Sequence, residues 1–116
     1  MQIHEKVTDG IGILKLSGRL TVNDRPGALK ESVTQLVQQG ARNVILDLGG
    51  VRYIDSTRLG ELIAAHITIG RHGGRLLLVA TPPRVLELLA LSSLDDVFER
   101  FDSADAAIAA LSSATA

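Results

Sequence analysis

Three consecutive side chains able to cap a helix, Asp55-Ser56-Thr57, stand together and are followed by the cation Arg58. One such residue is enough for a helix start, because a single side-chain oxygen accepts the N2 or N3 amide and contributes about 0.5–2 kcal/mol. Asp55 or Ser56 as that cap leaves the remaining polar residues without a structural task. A hydroxyl in this position has chemistry open to it. It stands at the surface on a rigid support, and a phosphate added to it meets first-turn amides and the positive end of the helix dipole. The fold can absorb the roughly 1.5–2 negative charges of a phosphate there. A partner docked on the same surface, already made acidic by Asp55, cannot. A hydroxyl here is therefore a candidate phosphoacceptor, with modification acting on binding and not on folding.

Other chemistries find less support. Asp47 and Asp55 can do acid–base work or hold Mg²⁺ if they converge; Asp47 can equally serve backbone groups near a strand end. His66 and His72 are six residues apart and His4 is distant, so none forms the i, i+4 pair of a zinc helix. They are read as packed or surface residues, and no metal is expected. Gly10-Ile11-Gly12 starts a glycine pattern whose third member is Lys15, and the chain has neither a Gly-Lys-Ser/Thr phosphate loop nor a Gly-x-Ser-x-Gly elbow. No catalytic residue and no cofactor is assigned, and the chain is read as non-enzymatic.

The elements that must hold Asp55-Ser56-Thr57 follow from the hydrophobic pattern. The 116 residues suit one domain, 1–116. With no Cys or Trp, one Tyr and two Phe, the core has to be aliphatic, and disulfides are excluded. A net charge of -1 and scarce aromatics argue against a nucleic-acid partner. No apolar run reaches the ~18 residues of a membrane span, and Met1 to Lys6 is too polar for a signal peptide; a cytoplasmic protein is expected.

Met1 to Val7 and Ile11 to Leu16 read as a hairpin around Asp9-Gly10, closed by Gly18, with a short extended piece over Arg19 to Val22. Asn23 or Asp24 caps a helix with Pro26 in its first turn and Leu29, Val33, Leu36 and Val37 on one face. Gly40 stops it. Val44 to Leu48 is a strand buried on both faces. Gly49-Gly50 turns the chain, and Val51 to Ile54 leads to Asp55. A helix from Ser56 or Thr57 carries an inner stripe of Leu59, Leu62, Ile63, His66, Ile67 and Gly70, and Gly73-Gly74 ends it. Strand Leu76 to Val79 follows. Pro82-Pro83 opens a helix with Val85, Leu86 and Leu89 inward, and Val97-Phe98 is a last short strand. Ser103 caps a final helix carrying Ala107, Ile108 and Leu111, and residues 112–116 read as a frayed tail. The expected fold class is α/β, a mixed β-sheet in which an N-terminal hairpin precedes alternating strands and helices joined by parallel crossovers.

Over nearly its whole length the chain resembles the STAS domain, as in bacterial anti-sigma factor antagonists. The resemblance rests on Ser17-Gly18-Arg19-Leu20, similar to the family's Gly-x-Leu stretch. It also rests on the central strand Val44-Ile45-Leu46-Asp47-Leu48, and on Ile54-Asp55-Ser56-Thr57-x-Leu59-Gly60, similar to its Asp-Ser-Ser/Thr-Gly-Leu-Gly motif. The family implies a mixed sheet with helices packed on it and a partner-switching role. The unphosphorylated antagonist binds an anti-sigma factor, a serine kinase of the histidine-kinase-like ATPase fold, which phosphorylates the first Ser of the motif, here Ser56. A serine phosphatase reverses this, and ATP and Mg²⁺ belong to the kinase. Arg58 stands where the family has Gly, and a guanidinium there can obstruct the kinase or pair with a phosphate on Ser56. Thr21 stands where the family often has Asp, with Asn23 or Asp24 as substitutes. The expected partner surface is Asp55, Ser56, Thr57 and Arg58 with Thr21, Asn23 and Asp24. Two alternatives stay open: a STAS-type regulatory subunit of a transporter or signalling assembly that uses the same face without phosphate, and an enzyme using Asp47 and Asp55 with a metal.

Overall fold

A computed structural model describes residues 2–20 and 27–114. Strands β1 (Gln2–Thr8) and β2 (Ile11–Leu20) form the hairpin. Asp9 and Gly10 both have positive φ, 53° and 76°, as a turn that matches strand twist requires. Then follow α1 (Ala28–Gln38), β3 (Asn43–Ile54), α2 (Ser56–Arg71), β4 (Leu76–Val79), α3 (Pro83–Leu91), β5 (Glu99–Phe101) and α4 (Ala104–Ala114). The sheet runs β1-β2-β3-β4-β5. β1 is antiparallel to β2 and the other pairs are parallel, so the expected mixed α/β architecture is present.

Alternation along the strands sorts side chains onto two faces. Leu14, Leu16, Val44, Leu46, Leu48, Leu76 and Leu78 form one core with Leu29, Val33 and Leu36 of α1, Leu59, Leu62 and Ile69 of α2, and Val85 and Leu89 of α3. Ile45, Leu77 and Val79 point the other way, against Ala107 and Leu111 of α4. The central strands are covered on both faces, which explains why they read as unbroken apolar runs.

Several expected boundaries are corrected. β2 does not close at Gly18 but continues to Leu20. β3 does not turn at Gly49-Gly50 but runs on to Ile54. Both strands stay paired because β3 takes up an extra residue opposite Lys15/Ser17 and again opposite Gly18/Arg19. A Cβ on Gly50 would lie 2.8 Å from the Ser17 Cβ, so glycine there lets β2 and β3 close around the bulge. α1 starts at Ala28 with Gly27 at its cap, φ 77°; Asn23, Asp24 and Pro26 lie outside the described residues. On α2, Ile67 and Gly70 are exposed, and Ala65 and Ile69 are buried in their place. The last strand is Glu99–Phe101, two residues beyond Val97-Phe98; Phe98 is buried as a core plug ahead of it. Ser103 Oγ accepts the Ala106 amide at the start of α4. That helix extends to Ala114, and Thr115 and Ala116 lie outside the described residues.

Candidate functional site

β3 delivers the motif. The Asp55 amide donates to Leu20 O at 3.0 Å, fixing the ends of β2 and β3 side by side at the carboxyl edge of the parallel strands. Asp55 is extended (φ -95°, ψ 173°), and its Oδ1 accepts the Arg58 amide at 2.9 Å. Asp55 is thus the cap. Ser56 and Thr57, the first two residues of α2, are exposed. At this end the helix leaves backbone N–H groups without intrahelical acceptors, and its dipole is positive.

Arg58 is not on that surface. It is fully buried, with Nη1 donating to Glu61 Oε2 at 2.7 Å. The other carboxylate oxygen of Glu61 accepts the Gly27 amide at 2.9 Å. Arg58 is therefore turned into the fold and does not project as an exposed obstruction. Glu61, itself bonded at the start of α1, compensates the charge; a buried guanidinium persists only with such pairing. Thr21, Asn23 and Asp24 lie outside the described residues. Leu20 and Gly27 are both hydrogen-bonded to α2 or its cap.

Gly60, the last motif glycine, is exposed, and a Cβ there would meet nothing within 4 Å. It lies one turn from Ser56 on the same helix side. No internal contact requires a glycine at this position, which costs about 1 kcal/mol relative to Ala in a helix.

The alternative carboxylate pair does not converge. Asp47 Oδ1 accepts the Gly49 amide at 2.9 Å, and the extended chain from there to Asp55 covers ~20 Å or more. Among the described residues no group of three or more His, Cys, Asp or Glu is placed to hold a metal. His66 packs edge-on against Phe98, 5.5 Å between centroids. The His72 ring Nδ1 lies 2.8 Å from Thr68 O at the end of α2, and His4 is on exposed β1.

Sequence reasoning missed Glu61, although its i, i+3 spacing from Arg58 was a usable signal. It also missed Tyr53 and Arg19, whose guanidinium lies 4.8 Å above the Tyr53 ring. Their meeting depends on the β3 bulges, which leave no local trace.

Among the described residues no helix is long and apolar enough to cross a membrane. The family model for the STAS domain matches residues 2–107. An anti-sigma-B factor antagonist of Staphylococcus aureus is 27% identical over 97 residues, covering 84% of this chain and 89% of that protein. The crystal structure of an anti-sigma factor antagonist from Mycobacterium paratuberculosis superimposes with a TM-score of 0.81 at 24% identity, covering 94% of this chain and 92% of the other. A sulfate transporter family protein from Wolinella succinogenes shares the fold with a TM-score of 0.73 at 22% identity, covering 90% and 86%. With the exposed Ser56 at a capped helix start, the mixed five-stranded sheet and a family match across residues 2–107, this chain belongs to the STAS domain family.

Proposed function

We propose that this chain is an anti-sigma factor antagonist. In this reading it binds an anti-sigma factor serine kinase of the histidine-kinase-like ATPase fold through the start of α2 and is released when Ser56 is phosphorylated. A serine phosphatase restores the binding form. The observation that carries the reading is the exposed Ser56–Thr57 pair on a helix end anchored by Asp55 and Leu20. Relatives named anti-sigma factor antagonists support it. Gly60 adds a physical reason: a glycine with no internal task, one turn from the phosphoacceptor, suits close approach of another backbone. Burial of Arg58 against Glu61 removes the bulk that would otherwise stand in the kinase's path.

The test is the intact mass of the protein after incubation with candidate anti-sigma factor kinases and Mg-ATP, with Ser56→Ala as control. The expected result is one added phosphate, absent in the variant. No phosphate from a kinase active on another substrate would favour a second reading, a constitutive STAS regulatory subunit of a transporter or signalling assembly. The fold shared with the Wolinella succinogenes protein keeps that reading in view.

A further inference from the structure

β1 (Gln2–Thr8) is an outer strand of the sheet, paired with β2 on one side only. Alternate residues of an edge strand aim their N–H and C=O groups away from the sheet, and such a row is a template for another strand. The usual structural protections are missing here. The strand has seven residues, no proline and an unbroken register from Gln2↔Ser17 to Thr8↔Ile11. What remains is charge, and it is sorted by face. Ile3 and Val7 pack against the larger core, with Glu5 exposed between them. Gln2, His4, Lys6 and Thr8 lie on the other face and are all exposed. There His4 stands opposite Lys15 and Lys6 opposite Ile13, which makes Lys6 and Lys15 diagonal neighbours. Lys15 has Asp47 opposite it on the β3 side, and Asp47 Oδ1 already accepts the Gly49 amide. Lys6 takes part in neither described ion pair, Arg58–Glu61 or Arg75–Glu99.

A second copy of this chain does not suit this edge. Two β1 strands related by a two-fold axis keep their faces aligned only when paired residue numbers have an even sum. The register that pairs all seven residues sets Glu5 against Glu5 of the other copy, and His4 against Lys6. Sliding it towards one end sets Lys6 against Lys6. Sliding it towards the other sets Glu5 against Ile3.

We propose that β1 takes up an extended acidic segment of a partner protein as an added strand. Its carboxylates lie beside His4 and Lys6 on the open face, and its apolar side chains lie beside Ile3 and Val7 on the other. Backbone pairing supplies the affinity of such a contact and the alternating side chains its specificity. The acidic choice follows from Lys6 and Lys15, neighbouring cations of which Lys6 has no carboxylate across from it on β2. A basic segment would meet Lys6 directly. β2 separates β1 from β3, so the proposal does not rest on the Ser56 reading.

The test titrates the isotope-labelled full chain with two short peptides in which valine alternates with glutamate or with lysine, followed by amide shifts. The Glu peptide is expected to saturate below about 1 mM, with the largest shifts over Gln2–Thr8. Proline in place of its central valine removes a backbone donor and is expected to weaken it at least ~10-fold, which a charge contact without strand pairing would not show. Lys6→Glu, at an exposed side chain, is expected to turn the preference to the Lys peptide. Absence of saturation, shifts centred elsewhere, equal binding of the proline peptide or a preference unmoved by Lys6→Glu would each overturn the proposal. So would preference of the unaltered protein for the Lys peptide, or a dimer in sedimentation whose β1 amides shift on dilution. Ser56→Ala is expected to leave the titration unchanged, so a failure of phosphorylation with intact peptide binding counts against the Ser56 reading alone.

Discussion

At Arg58 the charge is the same in sequence and structure, but its place is not. A cation one residue past Ser56-Thr57 reads as part of the exposed motif. In the fold it is fully buried against Glu61, whose own side chain keeps 16% exposure. The two partners should therefore differ when removed singly. Glu61→Gln removes the carboxylate 2.7 Å from a buried guanidinium and is expected to cost about 1–3 kcal/mol. Arg58→Met fills similar volume and leaves a carboxylate that can rehydrate, so it should cost clearly less. Urea denaturation of both variants and of the double variant checks this; equal single costs would show that Arg58 is not held mainly by Glu61. At Ser56 the reverse holds. Ser56→Asp places charge at an exposed helix start that tolerates it. It is expected to shift the unfolding midpoint little while weakening kinase binding at least ~10-fold, as read by calorimetry on the same preparation.

The elements separate into those whose signals are local and those whose signals are not. Asp9-Gly10, the Leu76–Val79 strand, the Pro82-Pro83 helix start and the Ser103 cap were legible in sequence, because turn chemistry, capping and periodicity act over a few residues. The cap of α2 was narrowed to Asp55 or Ser56, and the fold uses Asp55. The continuation of β3 through Gly49-Gly50 was not. A bulge is defined by its partner strand, and Ser17 is more than thirty residues away in sequence. Two glycines then make opposite predictions. Gly50→Ala brings a Cβ within 2.8 Å of Ser17, and the strands must part, at an expected cost of about 1–3 kcal/mol. Gly60→Ala meets nothing. It should stabilise α2 by up to about 1 kcal/mol and still weaken the partner complex. Thermal melts and binding titrations on the same two variants separate a glycine that the fold needs from one that only recognition needs.

Across the whole molecule the two ends of the sheet have different work. The carboxyl edge carries Asp55 and Ser56. At the amino edge Arg75, just before β4, holds Glu99 at the start of β5, with Nε 2.9 Å from Oε2. This pair ties down the short edge strand, which has only three residues of its own. The hydrogen bond from Arg75, with its positive charge, keeps the Glu99 carboxyl below its ordinary value of 4.5 despite partial burial, and His66 adds to this in the same direction. The folded value is thus below the unfolded one, so the stability linked to Glu99 is fully present above about pH 4.5 and is lost as pH falls through the folded value. Both side chains are a third or more exposed, so solvent screening limits the contribution to under ~1 kcal/mol. Glu99→Gln is expected to lower the urea midpoint slightly at neutral pH, with the gap to the unaltered protein narrowing as pH falls below about 4.5 and shrinking in high salt. Because this pair is at the opposite edge from Ser56, Glu99→Gln should leave phosphorylation and partner affinity at neutral pH as they are. A variant that altered both would show that the two edges are coupled through β4 and β5.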